Sequence, residues 1–487
     1  MALPARQKVG LVLGPIVFFL LLLLPTPETM SDSAMNVVAI TALMAIFWIT
    51  EAIPIAATAL IPIALFPLLN VMPTAKVTSA YGNHLIYLFL GGFLIAVAIE
   101  KWNLHKRIAL RTVLLVGLTP QRIILGFMIA TAFLSCWISN TATAMLMVTI
   151  GLAVLKQHAQ ANNLINDAGE IRQTNFGLAL MLGIAYAASI GGVATLIGTP
   201  PNAILAGVIE KELGYTVGFA QWMKFAAPLS VLMLALTWFY LTRFAFPNDV
   251  AGLPGGKQAI HQQLDELGAM SPQEKRVLGV FVFVVCAWLF RGLLEFEFLK
   301  GVTDSAVAIL GALLLFIIPA DIKKGEFLLD WKTAVKIPWD IILLFGGGFA
   351  LAAAFSSSGL TTWIGNELTL LQGADVLLIV LVIVVMVIFL TEVTSNTATA
   401  SLLLPVMAGF ALASDIPALT LMTSVALAAS FAFMLPVATP PNAIIFSSRQ
   451  VTIPQMAKAG FFLNILGAVM IVLFVVYALP ELLVIDR

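Results

Sequence analysis

The sequence predicts an all-α polytopic membrane protein made of two inverted repeats, with 11 transmembrane helices and two re-entrant hairpins. Three observations carry that prediction. The first is composition: 61% of the 487 residues are hydrophobic and only 10% are charged. Soluble domains carry roughly 25% charged residues because their surface must be wetted; a surface facing lipid has no such need. At about 20 apolar residues per crossing, the chain has room for roughly ten to fourteen membrane segments. The second is a pair of apolar stretches, 124–155 and 374–410, each too long for one crossing and short for two. The third is a set of motifs that occurs twice, in the same order.

Charge and cysteine content exclude other classes. The 25 Lys+Arg balance 25 Asp+Glu, so there is no basic stripe and no nucleic-acid partner is expected. Cys136 and Cys286 both lie in apolar runs, which excludes a disulfide framework or a cysteine zinc site. His84, His105, His158 and His261 show no metal-ligand spacing. No organic cofactor is called for, and the lipid bilayer is the first expected partner.

Along the chain, residues 1–33 hold an N-terminal transmembrane helix. Arg6 and Lys8 before Val9–Leu24 resemble a signal peptide, but the run ends in Pro25-Thr26-Pro27 without a small-residue cleavage site, so it reads as a retained span. Residues 34–243 form the first repeat. Paired spans at 34–50 and 54–72 are split at Glu51-Ala52-Ile53-Pro54, and another span covers 84–100. The basic, amphipathic 101–123 suits an interfacial arm. The inward-opening hairpin 124–155 follows, then the stretch 175–209 and a span at 222–242. The polar, Pro/Gly-containing 244–276 reads as a cytoplasmic linker. Residues 277–487 form the second repeat, with spans at 277–294, 304–320, 340–356 and 459–479, the outward-opening hairpin 374–410 and the stretch 418–448. With this topology 19 of 25 Lys/Arg fall on the N-terminal side, which places the N-terminus in the cytoplasm and the C-terminus outside.

The repeat is explicit. Ser139-Asn140-Thr141-Ala142-Thr143-Ala144 recurs as Ser395-Asn396-Thr397-Ala398-Thr399-Ala400. Gly91-Gly92-Phe93 recurs as Gly347-Gly348-Phe349, and each central glycine precedes its Ser-Asn-Thr by 47 residues. Thr199-Pro200-Pro201-Asn202 recurs as Thr439-Pro440-Pro441-Asn442. Five crossings separate the hairpins, an odd number, so the halves are inverted. Inverted repeats with interrupted helices mark secondary transporters, which bind substrate and ions near the midplane.

The motifs suit that chemistry. Ser-Asn-Thr at a hairpin tip caps a half-helix whose free N–H groups and positive dipole end attract a carboxylate. Its hydroxyls, amide oxygens and unwound carbonyls suit Na⁺. Pro200 and Pro201 deprive the Leu196 and Ile197 carbonyls of helical partners, as Pro440 and Pro441 do to Pro436 and Val437. Residues 124–155, 175–209 and 418–448 contain no charged side chain. A transported anion therefore finds no Lys or Arg clamp there and needs helix dipoles and co-bound cations. Glu392 fits either a cation or proton site or, as the favoured reading, a cap that stiffens the second tip. Glu51 reads as structural and the Gly-Gly-Phe copies as close helix packing. An intramembrane enzyme would need a charged catalytic cluster, and the sequence has none.

The duplicated Ser-Asn-Thr, the Thr-Glu-Ala-Ile-Pro at 50–54 and the segment Pro436–Asn442 resemble the divalent anion/sodium symporter (INDY-like) family of dicarboxylate, citrate and sulfate carriers. The resemblance implies a homodimer working as an elevator, whose mobile domain holds both hairpins, both broken helices and the spans following them. It implies at least two Na⁺ sites: Ser135, Ser139, Asn140 and Gly198 in one, and Thr391, Thr394, Asn396 and Ala438 in the other. Substrate carboxylates would meet Asn140, Thr141, Asn396 and Thr397, with Thr199, Pro200, Thr439 and Pro440 nearby. Intact copies of both motifs favour the Na⁺-coupled branch of the family, whose sulfate, citrate and C4-dicarboxylate carriers share them; the leading expectation is Na⁺-coupled import of a C4-dicarboxylate such as succinate, malate or fumarate across the cell membrane. The alternatives are Na⁺-independent dicarboxylate or tricarboxylate exchange, and sulfate or citrate transport.

Overall fold

A computed structural model of the chain describes residues 3–117, 119–162, 164–165, 171–247, 256–291, 301–367, 375–414 and 416–482. Among these, eight helices are long and apolar enough to cross a membrane. Hairpin limbs and half-helices account for most of the shorter apolar ones, so the expected 11 crossings do not correspond to 11 long helices.

Helices α1 (Ala5–Leu23) and α2 (Asp32–Thr50) pack together at the start of the chain. Glu51 ends α2 in the left-handed conformation, with φ 49°, and its carboxylate pairs with Arg6. The crossing expected at 54–72 is instead broken into α3 (Ile55–Thr58) and α4 (Ile61–Leu68). Pro62 has no N–H to continue the first segment. The break is also held from outside: the Tyr81 hydroxyl donates to Ala59 O, and a Cβ on Gly347 would come within 2.6 Å of that carbonyl. Irregular backbone at membrane depth is tolerated when protein surrounds it in this way.

After α5 (Thr74–Ala80) and α6 (His84–Lys101) comes the basic arm α7 (Leu104–Val116), shorter than the expected 101–123 because Gly117, at φ 121°, ends it. The first hairpin is α8 (Pro120–Ser135) and α9 (Asn140–Ala161). Its second limb has 22 residues, more than a half-helix, because polar Lys156, Gln157 and His158 extend it beyond the apolar stretch. The first broken helix is α10 (Asn175–Val193) and α11 (Pro200–Leu213), followed by α12 (Phe219–Tyr240) with a π-helical end.

Residues 248–255 of the expected linker lie outside the described residues. The rest is not simple connecting chain: α13 (Gly256–Leu267) packs on α7 and α9, and α14 (Pro272–Phe290) begins before the expected boundary. The buried Arg107 of α7 holds this junction. It pairs with Glu274 at 2.7 Å and donates to Gly268 O at 2.8 Å, near the end of α13.

The second repeat continues with α15 (Asp304–Ile317), a small antiparallel pair β1 (Pro319–Asp321) and β2 (Glu326–Phe327), α16 (Trp331–Ala334), α17 (Trp339–Ser358) and α18 (Leu360–Glu367). Its hairpin is α19 (Val376–Thr391) and α20 (Asn396–Ala413). Its broken helix is α21 (Ala418–Ala429) and α22 (Pro440–Ser447), followed by α23 (Ile453–Leu473) and α24 (Leu479–Leu482). The Gly-Gly-Phe copies are close-packing sites: a Cβ on Gly91 would meet the Ala308 backbone at 2.5 Å, and one on Gly348 would meet Ser401 Oγ at 2.9 Å. Apolar side chains exposed along α1, among them Val12, Phe19 and Leu23, are suited to lipid.

Candidate functional site

Four helix N-termini line one cavity of about 810 Å³: Ser139 before α9, Thr199 before α11, Ser395 before α20 and Thr439 before α22. Both Ser-Asn-Thr motifs therefore form tips, as their residue types predict. Asn140, Thr141, Asn396, Thr397, Thr199, Pro200, Thr439 and Pro440 all face the cavity, as do Ser139, Gly198, Thr394 and Ala438. Ser135 and Thr391 lie fully buried behind the tips.

The prolines act differently from expectation. They do not interrupt a continuous helix; they occupy the first positions of α11 and α22, where the missing N–H costs nothing. The helices are instead separated by non-helical bridges, residues 194–199 and 430–439. Pro200 and Pro201 (likewise Pro440 and Pro441) leave these two N-termini without N–H groups at their first positions. Donors for an anion come instead from the tips. At α20 no side chain caps the first turn, and Ser395 keeps its hydroxyl free of a cap bond. At α9, Ser139 Oγ accepts from Ala142 N at 3.2 Å, ahead of which Asn140 and Thr141 begin the helix. Tips thus favour carboxylates, and bridges, rich in carbonyls, favour cations.

Behind each tip the same oxygen cluster recurs. The Ser135 hydroxyl faces Asn140 Oδ1 and Ala188 O, the latter at 2.7 Å. The Thr391 hydroxyl faces Asn396 Oδ1 at 2.7 Å and Ala429 O at 3.2 Å. One proton serves two acceptors in each case. The Asn140 amide atom beside Ser135 also lies 3.3 Å from Ala188 O and 3.2 Å from Gly198 O. With nitrogen there, its two N–H groups serve these three oxygens. With oxygen there, four oxygens share one proton, a donor set that could hold a hard monovalent cation. Thr394 is placed differently: its hydroxyl donates to Leu390 O at 2.9 Å and lies 2.6 Å from Thr399 Oγ1, so it is engaged by its own hairpin limbs and not by Asn396.

Sequence reading missed several participants. Asn202 and Asn442 grip the bridges from within. Glu392, expected to cap and stiffen the second tip, binds the second bridge instead: its carboxylate accepts from Phe433, Met434 and Leu435 N at 2.7–3.0 Å and from Asn464 Nδ2 at 2.7 Å. Its counterpart in the first repeat, Cys136, instead accepts from Thr195 Oγ1 through its carbonyl at 2.5 Å. The cavity wall includes Trp48, Phe89 and Phe93, and its rim carries Glu51, Glu100, Asp340 and Lys336. Among the described residues Lys336 is the one basic side chain lining it. Glu51, predicted to be structural, both pairs with Arg6 and lines this rim, so the cavity reaches the face bearing the N-terminus.

The profile described as "Sodium:sulfate symporter transmembrane region" matches residues 5–484. The chain belongs to the sodium:sulfate symporter family. That membership makes it a multi-pass membrane transport protein rather than an enzyme. Among its relatives, the sodium-dependent dicarboxylate transporter SdcS of Staphylococcus aureus (strain USA300) is 47% identical over 485 residues, covering 99% of this chain and 93% of SdcS. SdcS of Staphylococcus saprophyticus subsp. saprophyticus (strain ATCC 15305 / DSM 20229 / NCIMB 8711 / NCTC 7292 / S-41) is also 47% identical, over 484 residues, with the same coverage of both chains. The crystal structure of the Alcanivorax borkumensis YdaH transporter shares the fold, with a TM-score of 0.55 at 13% identity over 98% of each chain.

Proposed function

We propose that this family member is a sodium-coupled symporter importing C4-dicarboxylates such as succinate, malate and fumarate across the cell membrane. The observation that carries the reading is the convergence of two equivalent tips, Asn140 and Asn396, on one cavity, each backed by an oxygen-rich cluster. Two tips with free first-turn N–H groups suit the two carboxylates of one dianion, and two clusters suit two Na⁺. The names of the SdcS relatives support the same substrate class and ion. Without a basic clamp at the tips, bound Na⁺ supplies the positive charge that makes dianion binding favourable, so coupling follows from the electrostatics.

The same reading makes the protein an elevator-type homodimer with its N-terminus in the cytoplasm and C-terminus outside. The cavity then faces inward. On the opposite face the seam between α11–α12 and α6, α15 is closed: His84 Nε2 meets the Glu210 carboxylate at 2.8 Å, and Phe219 N donates to Asp304 Oδ2 at 2.8 Å. Return to the outward state requires those contacts to part. The test is thermal stability of the purified protein with succinate, malate, fumarate, citrate or sulfate, each in Na⁺ and in K⁺. Stabilisation by C4-dicarboxylates in Na⁺ supports the assignment; stabilisation by sulfate or citrate alone, or equal stabilisation in K⁺, refutes it.

A further inference from the structure

We propose that Asn202 and Asn442 are positioning residues for sodium: each holds the bridge of its repeat so that one bridge carbonyl is left free to face the tip asparagine. The inference rests on the sodium-coupled reading above and assigns it two residues outside the cavity lining.

Both side chains are fully buried, and neither lines the cavity. Asn202 Nδ2 donates to Thr195 O at 2.7 Å, Val193 O at 3.1 Å and Gly192 O at 3.4 Å. Asn442 Nδ2 donates to Leu435 O at 3.1 Å and Ala432 O at 3.2 Å. In both repeats the gripped carbonyls include those 7 and 10 residues earlier, although the bridges differ in sequence and in their other supports. Trp222 Nε1 braces the start of the first bridge through Val193 O, whereas Glu392 and Asn464 brace the second. The asparagine is the shared device.

Its effect falls on the carbonyl four residues earlier, Gly198 O or Ala438 O. In a regular helix that carbonyl would accept the asparagine's own N–H. Here Asn202 N donates to Thr199 O at 3.2 Å, and Asn442 N donates to Thr439 Oγ1 at 3.3 Å. The fourth-preceding carbonyl is released, and in the first repeat it lies 3.2 Å from the Asn140 amide. Only an amide fits the role: two N–H groups on one short side chain reach two turns of bridge, and a carboxylate would repel them. Each Oδ1 has no hydrogen-bond partner among the described residues, so the donors and not the acceptor account for the residue.

The experiment compares wild type with Asn202→Asp and Asn442→Asp, using Trp222→Phe as a control that removes a bridge bond outside the register. The Na⁺ concentration for half-maximal thermal stabilisation is measured, together with the KM for succinate at saturating Na⁺ in proteoliposomes. Loss of groups that orient metal ligands weakens binding about 10- to 100-fold, and a shift of that size is expected for each Asp variant, with succinate KM changed less than about twofold. Trp222→Phe is expected to lower the melting temperature without moving the Na⁺ midpoint. Should either Asp variant lose the fold, Asn→Ser at that position keeps one donor and carries the same expectation. Unshifted Na⁺ midpoints in folded variants, or an equal shift in Trp222→Phe, would overturn the proposal while leaving sodium coupling intact. A wild type indifferent to Na⁺ would overturn the sodium reading, and this inference with it.

Discussion

The Thr391 hydroxyl donates to Asn396 Oδ1 over 2.7 Å while also facing Ala429 O, and Ser135 makes the matching pair of contacts with Asn140 and Ala188 O. A serine and a threonine at matching positions of the two repeats thus make the same contacts. Thr391→Val keeps the shape and removes the oxygen. It is expected to raise the half-saturating Na⁺ about tenfold, equivalent to about 1.4 kcal/mol. Ser135→Ala should act in the same direction. Na⁺ titrations of thermal stability give the answer, and an unchanged midpoint in both variants removes these hydroxyls from the cation sites.

Asn140→Ala and Asn396→Ala should each weaken Na⁺ and substrate together, because each amide stands between the cluster behind the tip and the cavity in front. Uptake kinetics at several Na⁺ concentrations separate the two affinities. A variant with normal values for both would disprove its tip assignment.

Gly192 is a steric test of the first site. A Cβ there would lie 2.7 Å from the Asn140 amide and 3.0 Å from Gly198 O. Gly192→Ala should therefore remove the first site's share of the Na⁺-dependent stabilisation and leave that of the second. Gly279→Ala in α14, where nothing lies within 4 Å of the added carbon, should leave transport unchanged and raise stability by about 0.5–1 kcal/mol. Thermal melts with and without Na⁺ on both variants make the comparison.

Glu392→Gln replaces a carboxylate that accepts three backbone N–H groups and the Asn464 amide. Hydrogen bonds to charged groups contribute about 1.5–3 kcal/mol each, and the glutamine NH₂ would face a donor. A lower melting temperature is expected, along with weaker Na⁺ binding at the second site. A melting temperature equal to wild type would show that the carboxylate does not hold the bridge.

Arg107→Ala should cost about 3–5 kcal/mol by stranding Glu274 in a buried position, and it should loosen the arm from the α13–α14 junction. Chemical denaturation in detergent measures the loss, and a loss under about 1 kcal/mol would contradict the burial of this pair.

Much of the site was legible because it is written twice. Duplicated Ser-Asn-Thr and Thr-Pro-Pro-Asn motifs identified both tips and the neighbouring broken segments, since capping residues and prolines act locally. The remainder depended on partners far away in sequence. Glu392 meets Asn464, 72 residues later, and the break between α3 and α4 is held by Tyr81 and packed against Gly347. The prolines were assigned the whole interruption because a missing N–H is visible in a sequence, whereas the amide of Asn202 reaching back across a bridge is not. Helix ends were misjudged where polar residues prolong an apolar run, as in α9, or where a glycine cuts an amphipathic one, as at Gly117.

The most direct test of sodium-coupled dicarboxylate transport is uptake of labelled succinate into proteoliposomes containing the purified protein and no internal dicarboxylate. Sodium coupling predicts accumulation with an inward Na⁺ gradient and none when K⁺ replaces Na⁺. Equal uptake in K⁺, or uptake that appears only when dicarboxylate is loaded inside, would contradict it.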